Sequence, residues 1–170
     1  MDHFARLGLP AALDIDASTL DRAYFDLQRK WHPDRFVSKP PEERARASVE
    51  AASLNEAYRT LKEPLSRAIY LAELKGVALP GDGKTIDDPE LLTEAMDARE
   101  ELQEASSVAE VDALARFARE DLEKGLVDLL RMFSANDKAA IRRTLLRLRY
   151  LDKFAEEARA RRMNLERSKR

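Results

Sequence analysis

The chain of 170 residues suffices for one ordinary domain or two small ones, and its 36% charged and 44% hydrophobic residues with only five glycines favour a helical architecture. It contains no cysteine, which excludes disulfides, thiol nucleophiles and thiolate metal sites and fits a cytoplasmic location. No apolar run approaches the roughly 20 residues that span a bilayer, and residues 1–30 lack a signal-peptide core, so no membrane association is expected.

The pattern predicts helices near residues 3–7, 18–31, 41–62 and 65–75. In the second of these, Leu20, Ala23, Tyr24, Leu27 and Trp31 share one narrow face at about 100° per residue, with Arg22 and Arg29 opposite and Lys30 to one side. Two N-caps fit its start: Ser18 with Asp21 as a capping box, or Asp16. The third helix carries a matching stripe of Ala47, Ala51, Leu54, Tyr58 and Leu61, so the pair should pack as an antiparallel hairpin. The segment GVALPGDGKTIDDP, 76–89, holds three of the five glycines and two of the seven prolines and reads as a boundary. The expected organisation is therefore a first unit over 1–75, a linker over 76–88 and a second unit over 89–170.

Three longer helices are expected in the second unit, near 89–105, 108–133 and 136–165. In the first of them Leu91, Ala95, Ala98 and Leu102 form a buried face. Leu92 and Met96 lie to one side of that face, and Asp97, Glu100 and Glu104 lie farther round. An apolar pair rimmed by carboxylates suits a partner site, but it also suits a widened contact with a neighbouring helix. The last helix has a main stripe of Ile141, Leu145, Leu148, Leu151, Ala155 and Ala158, and a second line of Leu146, Tyr150 and Phe154. Residues 76–105 carry 2 basic and 9 acidic side chains, and residues 106–170 carry 16 basic and 11 acidic. The acidic strip alone reads as a solvated helix face. The basic end RARRMNLERSKR scatters its charges around a helix that also carries Met163 and Leu165, so nucleic acid is not the expected partner.

Residues 28–36, QRKWHPDRF, interrupt the helical hairpin. Pro33 disfavours helical geometry at His32, and Asp34 can bond nearby backbone amides, so a plain turn explains the stretch locally. A metal site lacks ligands, since the other histidine is His3. An acid–base role for His32 and Asp34 lacks a nucleophile or a phosphate loop beside them, and no enzyme emerges.

The His-Pro-Asp loop after a basic helix, followed by LNEAYRTLKEPLSRAIY at 54–70, resembles a J-domain, with Asn55, Ala57, Tyr58, Leu61, Pro64, Arg67 and Tyr70 matching its pattern. Arg35 stands where lysine is more usual. Over essentially its full length the chain is similar to the bacterial HscB type of J-domain co-chaperone of iron–sulfur cluster assembly. MDHFARLGLP at the start, RAIYLAELKG at 67–76, TEAMDAREELQE at 93–104 and LRYLDKF at 148–154 carry that likeness.

The resemblance implies an all-α fold: an N-terminal J-domain with a helical hairpin, and a C-terminal three-helix bundle. It also implies docking on a DnaK-type chaperone (HscA) through Arg22, Arg29, Lys30, His32, Pro33, Asp34 and Arg35. The scaffold protein IscU would bind through Leu92, Met96, Asp97, Glu100, Glu104 and Tyr150. Two departures bear on that surface: Thr93 stands where a larger apolar residue can occur, and Asp97 replaces a glutamate. No cofactor or metal is expected, and the oligomeric state stays open with a monomer favoured. Two rivals are a general J-protein with another client and a structural helical protein without a chaperone partner.

Overall fold

The computed structural model describes residues 1–81 and 87–168. Among the described residues seven α-helices follow one another: α1 (His3–Arg6), α2 (Ala17–Trp31), α3 (Pro41–Lys62), α4 (Pro64–Leu74), α5 (Pro89–Glu104), α6 (Val108–Ala135) and α7 (Lys138–Arg167). A 3-10 turn, Pro33–Phe36, joins α2 to the loop before α3. Among the described residues there is no strand, so the fold is all-α. The chain divides into two compact units, Met1–Leu71 and Ala72–Arg170, and the division falls inside α4. Residues 82–86 of the expected linker lie outside the described residues.

In the first unit, α2 begins at Asp16, whose carboxylate accepts the Thr19 amide at 2.8 Å and the Ser18 and Thr19 hydroxyls. Asp16 is thus the cap, and Ser18 supports it from within the first turn. Leu20, Ala47, Ala51, Leu54, Ala57, Leu61, Ala68 and Leu71 are buried, as are Phe4 and Leu7 from the α1 region. The alanines let the helices approach closely, and each buried leucine stabilises the unit by about 1.5–3 kcal/mol relative to exposure. Tyr58, expected within the α3 stripe, sits half-buried at its edge, while Ala57 takes the inner position. Its hydroxyl donates to Asp21 Oδ1 at 2.7 Å. A second tie across the hairpin is the Tyr24 hydroxyl, which donates to Asn55 Oδ1 at 2.8 Å while Gln28 Nε2 donates to both.

Arg67 is the buried charge of this unit, at 8% exposure. It donates to the Ile15 carbonyl at 3.2 Å and so pins the segment before α2 onto α4. Burial depresses its pKa, with the Asp14 carboxylate opposing that shift. The start of the chain is held by Tyr70, which stacks on His3 at 4.4 Å and accepts its amide N–H at 3.0 Å.

In the second unit, Ser107 and Glu110 form a reciprocal capping box at the start of α6, and Asn136 in the left-handed region (φ 52°) ends that helix. Asp137 then caps α7, making a tight helical hairpin. The two long helices approach closely at Gly125, where a Cβ would stand 2.5 Å from Leu148 Cδ2. Leu129, Ile141, Leu145 and Leu148 are at most 1% exposed and form the centre of the core. Leu146, Tyr150 and Phe154 of α7 lie inside along with its main stripe, of which Ala155 alone is half-buried.

Candidate functional site

The His-Pro-Asp loop owes its shape to Pro33. His32 adopts extended geometry (φ −58°, ψ 130°), as a residue before proline should, which ends α2 at Trp31. Pro33 then opens the 3-10 turn, where its missing N–H costs nothing. The Asp34 amide donates to His32 Nδ1 at 3.3 Å, and Asp34 Oδ2 lies 3.6 Å from the same nitrogen. With Nδ1 occupied as an acceptor, the neutral ring carries its proton on Nε2. Arg35 folds back to donate to the Arg29 carbonyl at 3.2 Å, closing an exposed end of α2. Phe36 stacks on Trp31 with centroids 6.0 Å apart, and Lys30 lies over the indole at 5.6 Å.

The loop is thus held by local bonds yet presented: the His32 side chain is 52% exposed and that of Asp34 86%. Arg22, Arg29, Lys30, Pro33 and Arg35 are exposed as well. Sequence reasoning grouped these seven residues, and all of them lie along α2 and the turn that follows it. Arg29 pairs with Asp26 on the same helix, which trims the net charge of that face. Sequence reasoning omitted Phe25, which is 57% exposed. It lies about 40° from Arg29 and about 60° from Arg22 on the helical wheel, on the same outward face, a signal present in the spacing.

The second expected surface lies on α5. Met96 is 61% exposed, Leu92 is half-buried, and Asp97, Glu100 and Glu104 are exposed and have no partner among the described residues. Thr93 spends its hydroxyl on the Pro89 carbonyl. Tyr150 is placed differently, at 8% exposure beside Phe154. Burial pushes its phenol up to about 12, and the ring leaves little area for a partner to cover.

The other carboxylates at the start of α5 and just before it face α7 and are neutralised there, whereas Glu101 stays exposed and unpaired among the described residues. Arg142 pairs with Asp87, Arg143 with Asp88 and Glu90, Arg147 with Glu94 and with Asp121 of α6, and Arg99 with Glu157. Arg161 closes the far end by donating to the Gln103 and Ala105 carbonyls. The acidic strip is therefore split. One part clamps α5 to α7, and another faces solvent beside Met96. Reading the acidic and basic segments as each other's partners would have found the clamp.

Comparison with known proteins agrees with this geometry. The family model for the DnaJ domain matches residues 2–70, and that for the HSCB C-terminal oligomerisation domain matches residues 87–159. A co-chaperone protein HscB homolog from Azoarcus sp. (strain BH72) is 39% identical over 162 residues, covering 92% of this chain and 90% of that protein. The chain belongs to the HscB co-chaperone family. Solved HscB structures share its fold. Chaperone HscB from Vibrio cholerae superposes with a TM-score of 0.82 at 30% identity, covering 97% of this chain and 99% of its own. The human co-chaperone protein HscB gives 0.88 at 26% identity over 96% and 83%. In this HscB-family chain the DnaJ match contains α1 to α3 and the His-Pro-Asp turn, and the HscB-specific match contains all of α5 and α6. No described helix is long and apolar enough to cross a membrane, and no described cluster of His, Asp or Glu could hold a metal ion.

Proposed function

We propose that this HscB-family chain is a cytoplasmic adaptor in iron–sulfur cluster assembly that carries the scaffold IscU to an HscA-type, DnaK-like chaperone. It stimulates that chaperone's ATPase and performs no bond chemistry itself. Arg22, Arg29, Lys30, His32, Pro33, Asp34 and Arg35 form the chaperone-docking surface. Leu92, Met96, Asp97, Glu100 and Glu104, with the edge of Tyr150, form the scaffold-docking surface. The adaptor needs no cofactor and does not engage nucleic acid. Holding client and chaperone on one chain raises the effective concentration of one at the other.

The observation that carries this reading is the exposed, hydrogen-bonded His32–Pro33–Asp34 turn beside a basic helix face, in a chain of this family. Neither His32 nor Asp34 belongs to the buried core of the first unit, which suits a surface kept for recognition. ATPase turnover of the cognate chaperone should rise with the wild type and stay at its resting value with His32→Gln or Asp34→Asn. Full stimulation by both variants would remove the docking role of the turn. For the client, calorimetry should show weaker IscU binding for Leu92→Ala and Met96→Ala, and unchanged affinity in the double variant would remove that assignment.

A further inference from the structure

A groove runs between the C-terminal end of α5 and the first turns of α6. It encloses about 710 Å³ and is lined by Ala105, Ala113, Leu114 and Phe117, with Glu101 and Glu104 at its rim. Phe117 is 65% exposed, although its neighbour Ala118 is buried at 2%. Burying the rest of that ring against a partner is favourable by roughly 25 cal/mol for each Å² covered.

The carboxylates around the groove are not equivalent. Glu110 also lines it but is committed to the α6 cap, where it accepts the Ser106 and Ser107 amides; those bonds hold its pKa below the usual carboxylate range. Glu101 and Glu104 have no partner among the described residues. Their charge selects an occupant with Lys or Arg next to its apolar anchor.

We propose that this groove is a second landing site for the same protein client that docks on α5, taking an apolar side chain of the client flanked by basic residues. The inference rests on the scaffold-docking reading above. Its warrant is continuity across one helix. At about 100° per residue, Leu92 and Met96 fall on one flank of α5's buried face and Glu101 on the other, with Glu100 and Glu104 on the exposed crest between. Glu104 belongs to both surfaces. A client laid across the crest sets its basic groups over Asp97, Glu100, Glu101 and Glu104 and finds apolar landings on both sides, Met96 on one and Phe117 on the other. Exposed aromatics in such positions are the residues on which binding energy concentrates.

Calorimetry of the full chain with IscU tests this, using the wild type, the Leu92→Ala/Met96→Ala double variant, Phe117→Ala and Phe117→Leu. Phe117→Ala should weaken binding by about fivefold or more, with Phe117→Leu in between and both melting as the wild type does. Wild-type affinity for Phe117→Ala, with the double variant weakened, overturns the groove site and leaves the α5 reading standing. No binding by the wild type removes the α5 reading, and the groove's occupant falls with it. If Phe117→Ala abolishes self-association seen by sedimentation but keeps full client affinity, the groove takes a second copy of this chain and the proposal is overturned.

Discussion

Tyr24 and Tyr58 lie face to face across the α2–α3 hairpin, with ring centroids 4.1 Å apart and planes 15° from parallel. Each hydroxyl then bonds a residue of the opposite helix, Tyr24 to Asn55 and Tyr58 to Asp21. Lys62 donates to the Tyr58 hydroxyl at 2.8 Å and covers its ring, which raises the lysine's pKa. The stack therefore fixes the register of the hairpin that presents His32. Tyr58→Phe keeps the stack and loses the hydroxyl's bonds, at a cost of about 1 kcal/mol. Tyr58→Ala should cost at least about 2 kcal/mol, since it also removes buried ring area and the aromatic pair. The single tryptophan, Trp31, lies in this unit, so urea unfolding followed by its fluorescence reads both variants.

Much of this was legible in the sequence because it depended on local rules. Pro33 ends α2 through its own ring, and the periodic apolar positions of α2, α3 and α7 turn inward. What stayed hidden depended on neighbours remote in sequence. Asp16 and Ser18 were equivalent caps until the backbone placed the Thr19 amide against Asp16. The second apolar line of α7 reads as a packing line from its spacing and is buried, whereas the place of Tyr150 on a client surface came from the resemblance alone. The carboxylates of α5 looked alike in sequence, and only the arginines of α7, some fifty residues later, sort Glu94 from Asp97.

Arg147 ties the α5 clamp to α6 as well, joining Glu94 at 2.8 Å and Asp121 at 2.7 Å. The Asp121 side chain is only 18% exposed, so removing the cation strands a carboxylate with little access to water. Arg147→Met keeps the packing of the stem and should still destabilise the second unit by about 1–3 kcal/mol. The exposed i,i+3 pair Arg131–Asp128 is the control, because breaking it should cost at most about 1 kcal/mol. Thermal unfolding of Arg147→Met and Arg131→Ala, side by side, checks the difference.

Gly125 sets two opposing terms against each other. Alanine is favoured over glycine inside a helix by about 1 kcal/mol. Its Cβ would stand 2.5 Å from Leu148, however, and that side chain is 1% exposed in the centre of the core. Forcing a buried leucine aside costs typically 1–3 kcal/mol, so Gly125→Ala should be a net loss of about 1 kcal/mol. A raised melting temperature for this variant would show that α6 and α7 separate more readily than their packing implies.

Acid should weaken the fold through its caps and clamps. The Ser18 hydroxyl and Thr19 amide hold Asp16 below its ordinary pKa, the Ser106 and Ser107 amides do so for Glu110, and Arg142 does so for Asp87. Each group binds its proton more weakly when folded, so its contribution is present above the unfolded value of about 4 and lost as pH falls through the lower folded value. The melting temperature should thus hold from pH 7 to about 5 and fall below about 4. Glu110→Gln should melt lower at pH 7 and show a shallower fall in acid.

Arg22, Arg29, Lys30 and Arg35 are exposed and spread over two helical turns and the loop, so on the proposed docking reading their joint field should reach an acidic partner before contact. Such attraction raises the association rate and is screened over about 8 Å at physiological ionic strength. On the proposed docking reading, the His32 turn should act only once the surfaces touch. Replacing Arg22 with Gln should therefore raise the protein concentration needed for half-maximal ATPase stimulation, flatten its dependence on salt, and leave the maximal stimulation near the wild-type value. Asp34→Asn should do the reverse, abolishing the maximal stimulation at every salt concentration. Stimulation assays at 50 and 300 mM salt separate the two roles (both values roughly bracket physiological screening). If Arg22→Gln instead lowers the maximum without shifting the half-maximal concentration, that arginine contributes to the docked state rather than to the approach.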